Sequence, residues 1–335
     1  MFVYPAASHV LVHTPAKINL FLEVLARRAD GFHEIETLMG PVTMFDTLEF
    51  VPRHDGELRL KCRWAGGVRA RANRGRRQSA AGAADERHRS EPLGDLPEGE
   101  QNIVFRAVER LRDRSAAACG ADIRLTKRIP SAAGLGGASS DAAAALVAAN
   151  LAWRLHWPLA RLAELAAELG SDISFFLSGG WAVCRGRGER IEAVRGGRLH
   201  MAVARPKTGL STAQVYGQCR PAAIVRSASP LRAGLSAGNW RAIRSGMFNR
   251  LAEAAGSLNP SIGRLQDRLV RLGSVAVQMS GSGSSCFGIC KSARHARRVA
   301  AQVRSLSVGE AYQATMAGRG WPAVARGEGD DDSAS

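Results

Sequence analysis

One segment constrains this chain more than any other: Lys127-Arg-Ile-Pro-Ser-Ala-Ala-Gly-Leu-Gly-Gly-Ala-Ser-Ser-Asp-Ala-Ala. A stretch that reads as a strand (Asp122–Ile129) enters it and an alanine-rich run (Ser139–Trp153) leaves it, which predicts strand, tight loop and helix in succession. Gly134, Gly136 and Gly137 allow positive φ and close approach of a ligand to the backbone. The free N–H groups of such a loop and of the first helical turn converge on one point, where the helix dipole adds positive charge. Pro130, Ser131, Ala132, Ala133, Gly134, Leu135, Gly136, Gly137, Ala138, Ser139 and Ser140 therefore read as a cradle suited to a triphosphate. Ser139 and Ser140 carry hydroxyls able to bond phosphate or reach Mg²⁺. The spacing fits neither GxxxxGK[ST] nor GxGxxG. The bland alternative is a helix capped by Ser139 or Ser140 after a glycine turn.

The rest of the chain bounds the context. At 335 residues two domains are expected. No long uncharged apolar run predicts a membrane span, and the start of the chain does not read as a secretory signal. Six cysteines at 62, 119, 184, 219, 286 and 290 form no CxxC pair, which fits a reducing cytoplasm. Cys286 and Cys290 alternate with Phe287 and Ile289 and read as core residues of a strand. The net charge of +16 comes from arginine, since there are only five lysines; such a charge fits either nucleic acid or a phosphorylated metabolite. Seven arginines fall within Gly66–Glu91, a stretch poor in large apolar residues that reads as a flexible surface insertion.

Strands are expected over His9–Val24, Glu34–Val51, Leu58–Trp64, Leu199–Ala204 and Ser274–Met279. Helices are expected over Asn102–Arg112, over Arg161–Leu169 with Gly170 as cap, and around Leu265–Leu272 and Val299–Leu306. Without a regular βαβ cycle the mixture predicts an α+β fold. The acidic end, Gly327–Ser335, reads as disordered.

Three segments together resemble the GHMP kinases, which phosphorylate small alcohols and acids. They are Thr14-Pro-Ala-Lys-Ile-Asn-Leu, the glycine loop itself, and Met279-Ser-Gly-Ser-Gly-Ser-Ser-Cys-Phe-Gly. Asp30-Gly-Phe-His-Glu-Ile-Glu-Thr and Leu169-Gly-Ser-Asp-Ile-Ser-Phe-Phe narrow the resemblance to a branch acting on a cytidine diphosphate ester of 2-C-methyl-D-erythritol, in the non-mevalonate route to isoprenoids. The likeness spans roughly residues 10–318 apart from the arginine-rich insertion. It implies a two-domain GHMP kinase fold: an N-terminal domain like ribosomal protein S5 domain 2 over residues 1–196, a ferredoxin-like C-terminal domain over 197–318, and a tail over 319–335. It implies ATP and Mg²⁺, a small-molecule partner, and neither nucleic acid nor membrane. The departures are Phe32 for a usual tyrosine, Ala138 for a common third glycine, and Ile173-Ser174 for a usual Val-Pro.

By the same resemblance Asp172 is the base and Lys17 its neighbour, a pairing that keeps the carboxylate ionised and stabilises charge on a moving phosphoryl group. Asp172 can alternatively cap the segment Ile173–Leu177, and Lys17 alone can be a strand-surface lysine. Asn19 lies two residues from Lys17 and so shares its strand face. Phe32 and His33 are expected at a cytosine, with Thr212 nearby and Tyr216 as the second ring of a stacking clamp; Tyr216 is otherwise a core aromatic. Two other readings stay open: a GHMP kinase for homoserine or mevalonate, against which the Asp-Gly-Phe-His segment argues, and a nucleic-acid-binding protein, against which the lack of aromatics among the arginines argues. Replacing Gly66–Glu91 by a short glycine–serine bridge is expected to lower the melting temperature by less than about 10 °C; a thermal melt of the deletion variant checks this.

Overall fold

The computed structural model describes residues 1–66, 96–221, 223–306 and 308–317. The expected flexible insertion, beyond Gly66, and the expected disordered tail lie outside the described residues.

Two long strands organise everything else. β2 (Val10–Arg27) is buried on both faces through Thr14–Val24, and β3 (His33–Arg53) through Thr37–Val42, beyond which its burial alternates. They pair antiparallel from Val10↔Phe50 to Arg27↔His33. Asp30 makes the tight connection by accepting the Phe32 N–H at 3.1 Å, and Gly31 supplies φ +83°.

Different stretches of β3 recruit different partners. Its far end, Thr47–Arg53, pairs with β5 (Gly120–Lys127), and its near end, Ile35–Met39, pairs with β6 (Trp181–Gly186). Between them Val42 meets Met316 of β12 (Glu310–Met316). Through β12 the sheet continues into β8 (Leu199–Arg205), β11 (Cys286–Cys290) and β10 (Ala276–Met279). β1 (Phe2–Pro5) and the short β9 (Phe248–Asn249) add to β2, β4 (Leu58–Trp64) to β5, and β7 (Arg190–Val194) to β6. Among the described residues this makes one branched sheet of twelve strands.

Helices cover it in two groups. The first is α1 (Ile103–Ser115), α2 (Gly137–Ala152), α3 (Leu159–Leu169) and α4 (Ile173–Ser178). The second runs from α5 (Thr212–Gln218), α6 (Ser229–Ala237), α7 (Trp240–Gly246) and α8 (Ala252–Leu258) to α9 (Ser261–Arg271) and α10 (Ala293–Ser305). α1 begins where Asn102 accepts the Val104 N–H at 2.9 Å. α2 has no polar face, and every residue from Ala142 to Ala149 is buried. A helix apolar all round belongs inside, and its alanines allow neighbours to approach closely. This central helix holds the glycine loop in the middle of the molecule.

The α+β class holds, and most expected elements appear within a few residues of their expected limits. Gly170 ends α3 with its N–H on Ala166 O at 3.1 Å, but in extended rather than left-handed backbone. Cys286 and Cys290 are buried in β11, as their alternation indicated. No element of the described residues is a helix long and apolar enough to cross a membrane.

Candidate active site

The glycine loop, the second half of β2, the β2–β3 turn and α5 line one cavity of about 920 Å³. Pro130 to Ser139 form one wall. Three contacts fix that wall. Lys17 N–H donates to Leu135 O at 2.9 Å, Ser285 N–H donates to Ala133 O at 3.2 Å, and Ser280 Oγ donates to Gly134 O at 3.0 Å. The loop is thus tied to β2 on one side and to the turn between β10 and β11 on the other.

Glycine is required at two of these places. Gly134 and Gly136 have φ of +70° and +69°. A Cβ on Gly134 would fall 2.2 Å from Ser280 O, and one on Gly136 would fall 2.9 Å from Lys17 Cγ. Ala138 lies inside α2 with helical backbone, so its methyl costs nothing there.

Ser139 faces the cavity, but Ser140 does not. Ser140 is fully buried and its hydroxyl is paired with that of Thr14. The expectation that Ser140 reaches a phosphate fails for a geometric reason: one residue further along the helix turns its side chain about 100° away, onto β2.

Lys17 and Asp172 meet across the cavity floor, Nζ to Oδ2 at 3.5 Å. Lys17 is buried, whereas Asp172 keeps about a third of its side chain exposed to the cavity. Lys17 Nζ also donates to Asn19 Oδ1 at 2.6 Å, and Asn19 Nδ2 donates to Thr37 Oγ1 at 2.8 Å. Thr37 completes this chain by donating to Phe21 O at 2.6 Å. The ammonium is therefore aimed by a fixed amide rather than free to swing. Asp172 occupies the N-cap position of α4 yet makes no capping bond. Its carboxylate is spent on the cavity, not on the helix.

The ring residues gather at the other end. His33 packs against Tyr216 with ring centres 5.1 Å apart and planes at 36°. Phe32, 51% exposed, lies at the mouth with the Arg187 guanidinium 4.8 Å over its ring. The direct ring neighbour of Tyr216 is thus His33 rather than Phe32, although all three line the same cavity. Burial, and then the charge of Arg27, lower the His33 pKa, so its imidazole is neutral at pH 7. Burial, with Asp172 second, pushes the Tyr216 phenol up, so it stays protonated. Thr212 Oγ1 is 2.9 Å from Ser282 Oγ, which joins α5 to the third glycine segment.

Several cavity-building residues were not singled out by the sequence. Ser280 and Thr37 lie within the quoted motifs, but their roles come from bonds to other segments of the chain. Asn249 Nδ2 holds Met279 O at 2.9 Å and Gly281 O at 2.8 Å, and lies in a segment with no motif. Arg187 was hidden among many surface arginines.

The family model of the GHMP kinases N terminal domain matches residues 102–180, and that of the GHMP kinases C terminal domain matches residues 231–309. The class is a GHMP kinase. A 4-diphosphocytidyl-2-C-methyl-D-erythritol kinase of Pelotomaculum thermopropionicum is 38% identical over 86% of this chain and 92% of its own length. One of Bacillus cytotoxicus is 33% identical over 84% and 88%. This chain belongs to the 4-diphosphocytidyl-2-C-methyl-D-erythritol kinase family. A crystal structure of 4-(cytidine 5'-diphospho)-2C-methyl-D-erythritol kinase superposes with TM-score 0.71 at 31% identity, covering 92% of this chain and all of that one. A homoserine kinase from Cytophaga hutchinsonii shares the fold at TM-score 0.68 and 19% identity, covering 94% of this chain and 97% of that one.

Gly134→Ala is expected to cost stability, since the left-handed backbone and the clash with Ser280 both oppose a Cβ. A loss of about 1–3 kcal/mol is the scale for forced overpacking and strain; urea unfolding of the purified variant measures it.

Proposed function

We propose that this chain transfers the γ-phosphoryl group of ATP to the 2-hydroxyl of 4-diphosphocytidyl-2-C-methyl-D-erythritol. The single observation that carries the chemistry is the Lys17–Asp172 pair, 3.5 Å apart, on the floor of a cavity walled by a glycine loop. Phosphoryl transfer needs positioning and charge neutralisation more than covalent help from the protein. The names of the relatives support the choice of substrate, and the ring cluster at Phe32, His33 and Tyr216 supports a cavity end shaped for a base.

The roles follow from position. The N–H groups of Ser131–Ser139, at the loop and the α2 N-terminus, bind the phosphates. The residues fit the nucleotide, because a Cβ at Gly134 or Gly136 would crowd the turns that make the cradle. Among the described residues there is no cluster of three or more His, Cys, Asp or Glu able to hold a metal ion. Mg²⁺ would then be held chiefly by the phosphates, with the Ser139 hydroxyl and Asp172 as the protein oxygens at hand. When bound it would neutralise charge between the phosphates. Asp172 Oδ2 takes the proton of the attacking hydroxyl, and Lys17, aimed by Asn19, stabilises the charge that develops on the phosphoryl oxygens. Tyr216 and Phe32 stack on the cytosine, while His33, already against Tyr216, meets its polar edge. Thr212 supports this wall through Ser282.

The same reading divides the chain into an N-terminal domain over residues 1–196 and a C-terminal domain over 197–318, with both substrates between them. It makes the protein a cytoplasmic enzyme of small molecules rather than a nucleic-acid binder. A coupled ADP-release assay tests it directly: turnover with the cytidine substrate, and none with homoserine or mevalonate, is expected. Turnover with either of the latter alone would replace the assignment.

Asp172→Asn is expected to fold and bind ATP but to lower kcat by about 10²-fold or more, the scale of a lost general base; steady-state kinetics on the purified variant would show this. Stacking on an aromatic is worth about 1–3 kcal/mol per base, so Tyr216→Ala should raise KM for the cytidine substrate about 5- to 150-fold. The KM for ATP should hardly move, because the nucleotide cradle is at the other end of the cavity. An unchanged cytidine KM in a stable Tyr216→Ala variant would remove the clamp.

A further inference from the structure

The roles above leave unused a buried charged cluster directly behind the glycine loop. Lys127, at the end of β5, donates to Asp141 Oδ2 at 2.6 Å and to Asp46 Oδ2. All three side chains are buried, and none lines the cavity. Lys127 is therefore no phosphate ligand, although it lies three residues before Pro130.

Its connections show another use. Asp46 Oδ1 accepts the backbone N–H groups of Arg128 and Ile129, the latter at 2.9 Å. Those are the last two residues before the loop. Asp141 belongs to the first turns of α2, immediately after the loop. One ammonium thus joins the strand that enters the loop to the helix that leaves it. The approach is close: a Cβ on Gly137 would come within 2.9 Å of Ile129 Cγ2 and 3.2 Å of Lys127 Nζ.

Stability alone does not explain the cluster. Taking charges out of water costs several kcal/mol per ion by general estimates, and well-packed apolar groups often do as well or better. Asp141 Oδ1 has no partner, and burial, outweighing the pull of Lys127, raises its pKa well above the usual carboxylate range. Lys127, in turn, is kept cationic by the two carboxylates against the effect of its burial. What such a cluster offers is fixed direction and length between two backbone points.

We propose that Asp46 and Lys127 are positioning residues for ATP: they clamp the two ends of the Pro130–Ser140 loop so that its N–H groups already converge before the phosphates arrive. This rests on the reading of that loop as the ATP cradle. Preorganisation of this kind acts on nucleotide affinity and leaves the distant cytosine end untouched.

The test compares Asp46→Ala, Asp46→Asn and Lys127→Met with the wild-type protein, by calorimetric ATP affinity, KM for each substrate and thermal melting. Hydrogen bonds to a charged group, once lost, correspond to about a 10- to 100-fold weaker ATP affinity in Asp46→Ala. The KM for the cytidine substrate should stay within about threefold, since sites without shared contacts respond independently. Asp46→Asn keeps an oxygen for the Arg128 and Ile129 N–H groups and should recover part of the loss. If Asp46→Ala does not fold, Lys127→Met and Asp46→Asn must still show the ATP-selective loss. Unchanged ATP affinity in the folded variants, or both substrates weakened alike in step with the melting temperature, would overturn the proposal. Absence of turnover in the wild-type protein would remove the kinase assignment instead, and ATP affinity would still report on the clamp.

Discussion

The structure depends on the backbone of the glycine loop packing directly onto its neighbours. Leu135 O receives an N–H from β2, Ala133 O receives one from the β10–β11 segment, and Gly134 lies where no Cβ fits against Ser280. Main-chain contact at this range leaves no slack. It fixes where α2 starts, and with it the direction of the helix dipole into the cavity. Three segments far apart in the chain are therefore coupled: a shift in any one moves the cradle.

The Lys17–Asp172 pair is built on that frame rather than beside it. Lys17 is both a backbone donor to the loop and the side chain facing Asp172, so the position of the ammonium follows the position of the cradle. Asn19 and Thr37 then remove the freedom a lysine chain usually keeps. Asp172 reaches the pair from the far side because α4 begins there and leaves its carboxylate unused for capping. A long-chain ammonium held by a short amide and a strand backbone costs side-chain entropy at folding, not at each turnover.

Much of this is legible in the sequence. Strand, loop and helix around Pro130–Ser140 follow from local composition, since glycine freedom and alanine helix propensity act over a few residues. The i, i+2 relation of Lys17 and Asn19 follows from the strand period. Less visible were Ser280, Asn249 and Thr37, whose work is done by bonds to residues remote in sequence. The orientation of Ser140 was misread because two adjacent serines at a helix start look equivalent until the packing of β2 decides which one is covered. Phe32 and Tyr216 were expected on either side of a base; the ring packed directly against Tyr216 is His33, an outcome set by how α5 docks on the β2–β3 turn.

The sequence by itself determined the groups available: a glycine loop leading into a helix, a lysine and an amide on one strand face, an aspartate after Gly170, and aromatic groups near a tight turn. These depend on residue type and short spacing, which local forces settle. Only the tertiary structure decided which of them meet. Lys17 and Asp172 lie 155 residues apart by their numbering and come within 3.5 Å because β3 serves β2, β5, β6 and β12 at once and draws both halves of the sheet onto one cavity. The same convergence placed Asp46, Lys127 and Asp141 behind the loop, where burial turned three ordinary charged residues into a fixed strut.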